Sequence, residues 1–343
     1  MTQSPIGVLL VNLGTPEAPR PREVRRYLRE FLSDPRVIDM PALARWLLLN
    51  AVILPTRPRA SAAAYAKIWT PEGSPLLLYG RALRDGVAAA LGADFAVALG
   101  MRYGKPSLGQ ALAELRAAAV CEIRLLPLFP QYSEAATGSV VARVLELTRA
   151  GPDSPPVRVL EPFYDDPGFL AAWSAVARPE LDEFRPDHVL FSYHGLPERQ
   201  VRAADASAGH CLASPGCCDA IARVNRDCYR AQCFATTRAL AERLALPADT
   251  HSTSFQSRLG RIPWIRPYTD EVLHDLASRG VARLAVLCPA FVADCLETLE
   301  EIGIRGREQW RAAGGEALHL VPSLNAQPAW ISALADLLRA AKA

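Results

Sequence analysis

Residues 7–16 read GVLLVNLGTP: Val8 to Val11 are apolar without a break, Asn12 and Leu13 follow, and Gly14-Thr15-Pro16 turns the chain. A run this short and continuous suits a strand buried on both faces, as in a parallel sheet. Working outward, similar runs stand at 95–100, 123–128, 157–160, 188–193, 250–256 and 284–288, with an eighth at 318–321. Helical patterns lie between them. Residues 22–32 place Val24, Leu28, Phe31 and Leu32 on one face, and comparable stretches are 81–91, 108–119, 138–148, 168–177, 219–244, 270–278 and 293–302. Strand–helix alternation predicts an α/β fold. Eight strands could form one sheet, but the break at 161–168, rich in Pro and Asp, predicts two halves.

In open α/β sheets, ligands sit beyond the carboxyl ends of the strands. The residues following each run are therefore the first place to look for chemistry. The first run continues into Leu13-Gly14-Thr15-Pro16 rather than G-x-G-x-x-G, and no G-x-x-x-x-G-K-[ST] occurs. Both phosphate-cradling loops are missing, so a nucleotide cofactor is not expected.

The chain has 343 residues, a length that suits about two domains. Half of it is hydrophobic and 22% charged, which excludes disordered and collagen-like chains. With 38 basic and 36 acidic residues the formal charge is +2, too balanced for bulk electrostatic binding of nucleic acid. The longest apolar candidate, 46–55, lies between Arg45 and Arg57 and falls short of the ~20 residues that span a bilayer. The N-terminus lacks a basic region and a small-residue cleavage site, so a cytoplasmic location is expected. In a reducing compartment the eight cysteines read as thiols or metal ligands.

Four features could carry chemistry. His194, directly after a strand, could be a base, a metal ligand or a turn residue. Asp294, Glu297 and Glu301 share one face of a helical pattern. They read as a solvated acidic face or, with His194, as donors for a divalent cation such as Fe²⁺. The loop 256–264 combines Gln256, Ser257, Arg258, Arg261 and Trp264, and Arg102-Tyr103 repeats the Arg–aromatic pairing. Such a lining suits a flat apolar ligand carrying carboxylates; the plainer reading is a core Trp among surface arginines. Finally, Cys211, Cys217, Cys218, Cys228 and Cys233 crowd one short segment without a C-x2-C pair. Four thiolates there suit a 2Fe-2S cluster, with structural zinc second and reduced core thiols third. Cys121, Cys288 and Cys295 are expected to be buried small hydrophobes.

The stretches LLVNLGTPE (9–17), GSPLL (73–77), MRYGKPSL (101–108), LPLFPQYS (126–133), FSYHGLPER (191–199), TSFQSRLGRIPW (253–264), PYTDEVL (267–273) and CPAFVADCLETLEEI (288–302) together resemble ferrochelatase. The resemblance runs from about Val8 to Asn325 and is closest to the bacterial branch. It implies insertion of Fe²⁺ into protoporphyrin IX, with release of two pyrrole protons, as the terminal step of haem biosynthesis. It also implies two similar Rossmann-like lobes (the chelatase fold) with the macrocycle in the cleft between them. The expected lobes are 1–163 and 164–315, the second containing the Cys-rich insertion at about 205–229, with 316–343 packing back on the first.

Residue by residue, His194 matches the family's active-site histidine and Glu297 the acidic residue opposite it. Asp294 and Glu301 match the rest of an acidic metal path. Leu13, Ser74, Arg102, Tyr103, Gln256, Ser257, Trp264 and Phe291 match positions lining the macrocycle. Leu13 stands where coproporphyrin-metallating relatives carry Tyr, which favours protoporphyrin. Cys295 departs from the His of mitochondrial relatives. The internal cysteines resemble a bacterial subgroup with an internally ligated 2Fe-2S cluster. Five thiols compete for four places, and only Cys233 also exists in relatives without the insertion. The segment 46–54 corresponds to a lip that rests on the membrane surface, or is a core helix. Rival readings are a chelatase for another metal or for coproporphyrin, and a non-catalytic haem or Fe–S sensor on the same scaffold.

Overall fold

The protein is described from a computed structural model covering residues 4–149, 154–260 and 262–341. Arg261 of the 256–264 loop lies outside the described residues. The chain divides into two units. One comprises the residues through Phe129, Glu134–Glu161 and the stretch from Ile331; the other comprises Pro130–Ser133 and Pro162–Trp330.

In the first unit β1 (Ile6–Thr15) lies between β2 (Phe95–Gly104) and β3 (Ile123–Pro127), with β4 (Val157–Val159) at the edge, all parallel. The apolar run Val8–Val11 is fully buried, as a central strand covered on both faces requires. The helices are α1 (Pro21–Ser33), α2 (Ala42–Leu47), a π-helix at Leu48–Ile53, α3 (Leu54–Ile68), α4 (Pro75–Leu91), α5 (Leu108–Ala117), a π-helix at Glu134–Gly138 and α6 (Ser139–Arg149). Leu108, Leu112, Val140 and Val144 pack onto Leu9, Val11, Ile123 and Leu125 to form the core.

The second unit repeats this plan. Its helices are α7 (Pro167–Phe184), α8 (Glu198–Ala203), α9 (Tyr229–Leu244), α10 (Thr269–Ser278), a π-helix at Leu296–Gly306 and α11 (Arg307–Ala312); α12 (Pro328–Ala340) starts in this unit and passes into the first at Ile331. Its sheet has β5 (His188–His194) between β6 (His251–Gln256) and β7 (Arg283–Leu287), with β8 (Ala317–Leu320) at the edge, again all parallel. Leu190, Leu284, Val286, Ile302 and Trp310 form its core. The strand orders 2-1-3-4 and 6-5-7-8 are the same topology used twice. In each, the chain crosses from the central strand first to one side and then to the other. That reversal opens a crevice at the carboxyl ends of β1 and β5.

Four expectations need correction. Residues 219–228 are turns rather than helix, and α9 begins at Tyr229. The cause is Asn225, buried, whose side chain accepts from Ala222 N (2.7 Å) and donates to Cys217 O (3.0 Å) and Ala220 O (2.9 Å). An asparagine that satisfies backbone groups in this way competes with helix formation. The acidic stretch is a π-helix that starts at Leu296, so Asp294 precedes it. Cys121 is exposed rather than buried. The segment 316–343 does not behave as one piece: β8 pairs with β7, and only the chain from Ile331 belongs to the first unit. There Arg124 donates to the Leu338 carbonyl.

The segment 46–54 is not a plain core helix either. Leu49 and Leu54 are buried, but Trp46, Leu47 and Val52 are exposed, as is Leu43 before them. No described helix is long and apolar enough to cross a membrane.

Candidate functional site

His194 is the last residue of β5 and pairs in register with Gln256, the last of β6. Its Nδ1 lies 2.6 Å from the Gly195 carbonyl oxygen. A carbonyl can only accept, so Nδ1 carries the proton and Nε2 is left as the acceptor nitrogen. From behind, the Tyr229 hydroxyl donates to the His194 carbonyl (2.9 Å). The Phe291 ring stands 6.4 Å from the imidazole, centre to centre. A side chain at Gly195 would crowd this corner: a Cβ there would fall 2.8 Å from the Gln256 carbonyl oxygen and 3.2 Å from the Trp264 ring.

Gln256 is buried and links the histidine to the acidic helix. Its amide donates to the Glu297 carbonyl (2.7 Å), and its Oε1 accepts from Ser192 (2.7 Å). Next along the chain, Ser257 donates twice to Glu301, from its backbone N (2.9 Å) and from Oγ (2.5 Å). Ser257 adopts φ +67°, a left-handed conformation that aims both donors at one carboxylate. Nearby, Trp264 donates to the Leu259 carbonyl (2.9 Å). The six residues His194, Gln256, Ser257, Phe291, Glu297 and Glu301 thus gather at the carboxyl end of the second sheet.

Asp294 does not join them. It is buried, its Oδ2 accepts from Asn325 (2.8 Å), and its Oδ1 accepts from Thr298 (3.0 Å) and from Ser323 N (3.4 Å). Both its oxygens are occupied in tying the chain after β8 to the start of the π-helix.

At the carboxyl end of the first sheet, Tyr103 is fully buried and presents no ring face to a ligand. Its hydroxyl donates to Asp34 (3.0 Å). Arg102 Nη2 reaches the same carboxylate oxygen at 2.6 Å, and Ser139 Oγ donates to it at 2.6 Å. The Arg102 guanidinium also stacks on the Tyr103 ring at 4.4 Å. Burial pushes the Asp34 carboxyl up, but hydrogen bonds from Ser139, Arg36 N and Tyr103, and the Arg102 charge, outweigh it and hold the pKa below the ordinary value. Arg102 and Tyr103, expected as lining residues, therefore form an internal ionic network with Asp34 and Ser139. Ser74, also expected there, is buried with its Oγ 2.8 Å from Thr15 Oγ1, while Leu13 is half-buried at the end of β1.

A family model described as Ferrochelatase matches residues 5–342. A ferrochelatase of Azotobacter vinelandii (strain DJ / ATCC BAA-1303) is 51% identical, over 97% of this chain and 98% of its own length. One from Coxiella burnetii (strain CbuK_Q154) is 50% identical, over 97% of this chain and 93% of its own. The chain belongs to the ferrochelatase family. As a member it is a porphyrin metal chelatase, a lyase of haem biosynthesis that acts on a metal ion. Among solved structures, the sirohydrochlorin chelatase SirB of Bacillus subtilis subspecies spizizenii, in complex with cobalt, superposes with a TM-score of 0.54. Sequence identity is 11%, over 98% of this chain and 94% of that one. At that identity the likeness shows the two-sheet fold alone.

One further cluster lies in this ferrochelatase-family chain between α8 and α9. Cys211, Cys217, Cys218 and Cys228 lie in that stretch, Cys233 follows within α9, and all five are buried. Cys217 Sγ and Cys218 Sγ are 3.6 Å apart, and Cys228 hydrogen-bonds both Cys211 and Cys218. Burial pushes the Cys211 and Cys217 thiols up, and for Cys218 the Cys228 hydrogen bond does so first, with burial adding to it. Cys233 stands apart: fully buried within α9, it hydrogen-bonds Tyr229. Among the described residues no group of three or more His, Cys, Asp or Glu side chains is placed to hold a single metal ion.

Sequence reasoning missed Asp34, Ser139, Tyr229 and Asn325. Asp34 and Ser139 had no local signal, since their partner Arg102 is distant in the chain. Tyr229 did have one, as an aromatic at the mouth of a cysteine-rich loop.

Proposed function

We propose that the enzyme inserts Fe²⁺ into protoporphyrin IX, with His194 as the base that takes the pyrrole protons. The observation that carries this reading is the Nδ1–Gly195 hydrogen bond, which fixes the tautomer and leaves Nε2 as the acceptor. Planar porphyrin hides its two N–H groups, and bending the ring exposes them at the expense of binding energy from its periphery. Nε2 then accepts a proton. Glu301, oriented by Ser257, and Glu297, whose backbone Gln256 anchors, supply carboxylates beside that position to pass protons on and to offer hard oxygen donors to the cation. Gln256, Ser257, Trp264 and Phe291 lie beside the macrocycle; Asp294 acts by holding the π-helix in place.

The test is anaerobic mixing of protein, protoporphyrin IX and Fe²⁺, followed by the growth of haem absorption bands. His194→Ala is expected to lose metalation by roughly 10²–10⁴-fold, the usual worth of a general base, while still binding porphyrin. Full turnover by that variant would overturn the assignment.

A 2Fe-2S cluster on Cys211, Cys217, Cys218 and Cys228 belongs to the same proposal. The four thiols form one chain of contacts, Cys217 to Cys218 to Cys228 to Cys211, which brings together the four soft sulfur donors that such a cluster takes. The 3.6 Å Cys217–Cys218 separation is close to the ~3.8 Å edge of a tetrahedron with ~2.3 Å metal–sulfur bonds. Such a group supplies one-electron chemistry and rigidity, and no step of metal insertion is assigned to it. The enzyme is proposed to be cytoplasmic. Exposed Leu43, Trp46, Leu47 and Val52 are proposed to rest on the membrane surface, where a hydrophobic substrate partitions.

A further inference from the structure

Arg230, in the first turn of α9, faces two sites at once. Its Nη1 donates to Cys218 Sγ at 3.1 Å and approaches Cys217 Sγ at 4.0 Å. Its Nε donates to the Arg266 carbonyl at 3.2 Å, in the loop that carries Trp264. The guanidinium carbon lies over the Phe234 ring, 4.7 Å from its centroid, a contact that helps hold the fork between the two sites. One residue earlier, Tyr229 holds the His194 carbonyl. A single helical turn therefore touches the cysteine loop, the proton-accepting histidine and the Trp264 loop.

A guanidinium aimed at sulfur is poorly matched to a neutral thiol, which is a weak acceptor, and well matched to a thiolate. We infer that Arg230 is a positioning residue that joins the four-thiolate site to the substrate loop, neutralising charge on the Cys218 and Cys217 ligands while it holds the Arg266 carbonyl. This rests on the 2Fe-2S reading given above. A cationic donor at a ligating sulfur favours the more negative, reduced form of the group. Removing the donor makes that group harder to reduce and releases the Trp264 loop. The rigid fork makes both contacts with one side chain, which the single ammonium of lysine does not reproduce.

The experiment compares wild type, Arg230→Met, Arg230→Lys, Cys218→Ser and Cys233→Ser after anaerobic reconstitution with iron and sulfide. Iron and sulfide per chain, the midpoint potential, and porphyrin KM and kcat are read for each. Arg230→Met is expected to load fully, with a midpoint potential more negative than wild type and a porphyrin KM raised several-fold for little change in kcat. Arg230→Lys is expected to recover the potential more than the KM. Cys218→Ser should lose the group and Cys233→Ser should retain it. A loaded Arg230→Met with unchanged potential and KM overturns the role of Arg230 and leaves the cluster standing. Wild type that takes up no iron and sulfide overturns the cluster, and the inference with it.

Discussion

Gly195 shows how narrow the chemistry's tolerance is at the level of one residue. Its carbonyl orients the imidazole, and its missing side chain lets β5 and β6 end side by side under Trp264. Gly195→Ala is expected to push the Gln256 carbonyl or the Trp264 ring aside, at about 1–3 kcal/mol of stability. The larger effect should be on turnover, read as a fall in metalation rate at saturating porphyrin in protein that still unfolds cooperatively. The place of His194 at the carboxyl end of β5 was legible in the sequence, because it ends an apolar run. What could not be read was the division of labour among the carboxylates. Asp294, Glu297 and Glu301 share a helical spacing. Asp294 is nonetheless claimed by nearby Thr298 and by Asn325 and Ser323, two partners that only the folded chain brings near. A similar limit applies to Arg102 and Tyr103: the pair was visible, but not the buried Asp34 that turns it inward.

Among the elements, the strands were the most legible, since eight apolar runs became eight strands in two parallel sheets. The connections were less so. Residues 219–228 carry enough helix-forming side chains to suggest an extended α9, yet Asn225 spends its amide on the Cys217 and Ala220 carbonyls and folds them into turns. Two elements give stability predictions. Asp34, just beyond α1, ties that helix to the end of β2 through Arg102. Asp34→Asn keeps the shape but strands a half-buried guanidinium, and should cost about 2–3 kcal/mol in denaturant unfolding. At the start of β5, His188 is buried with its Nε2 2.9 Å from Ser252. Burial, then the charges of Arg279 and His251, lower its pKa from the ordinary 6.5 to about 4. Between those values the unfolded chain binds the extra proton, so folding stability contributed by neutral His188 is complete above pH 6.5 and falls away toward pH 4. Melting temperature followed across that interval should drop more steeply for wild type than for His188→Gln.

At the scale of the whole molecule, the exposed apolar residues Leu43, Trp46, Leu47 and Val52 lie close together in the chain on α2 and the π-helix that follows it. Wild type is expected to pellet with liposomes and the Trp46→Ser/Leu47→Ser variant to remain largely in the supernatant; equal partition of the two would remove the membrane-surface assignment. The sequence also foretold two halves but misplaced the return of the chain, because β8 reads equally well as the start of a C-terminal tail and as the edge of the second sheet. Its pairing with β7 decides the matter, and only the stretch from Ile331 onward goes back to the first unit. There the Ile331 side chain occupies the space above Gly86, where an added Cβ would meet it at 2.4 Å. During synthesis the order of completion is therefore inverted. The second unit has all its residues as soon as Trp330 clears the ribosome, whereas the first, begun before it, waits for the stretch from Ile331 to emerge before α4 gains its covering partner.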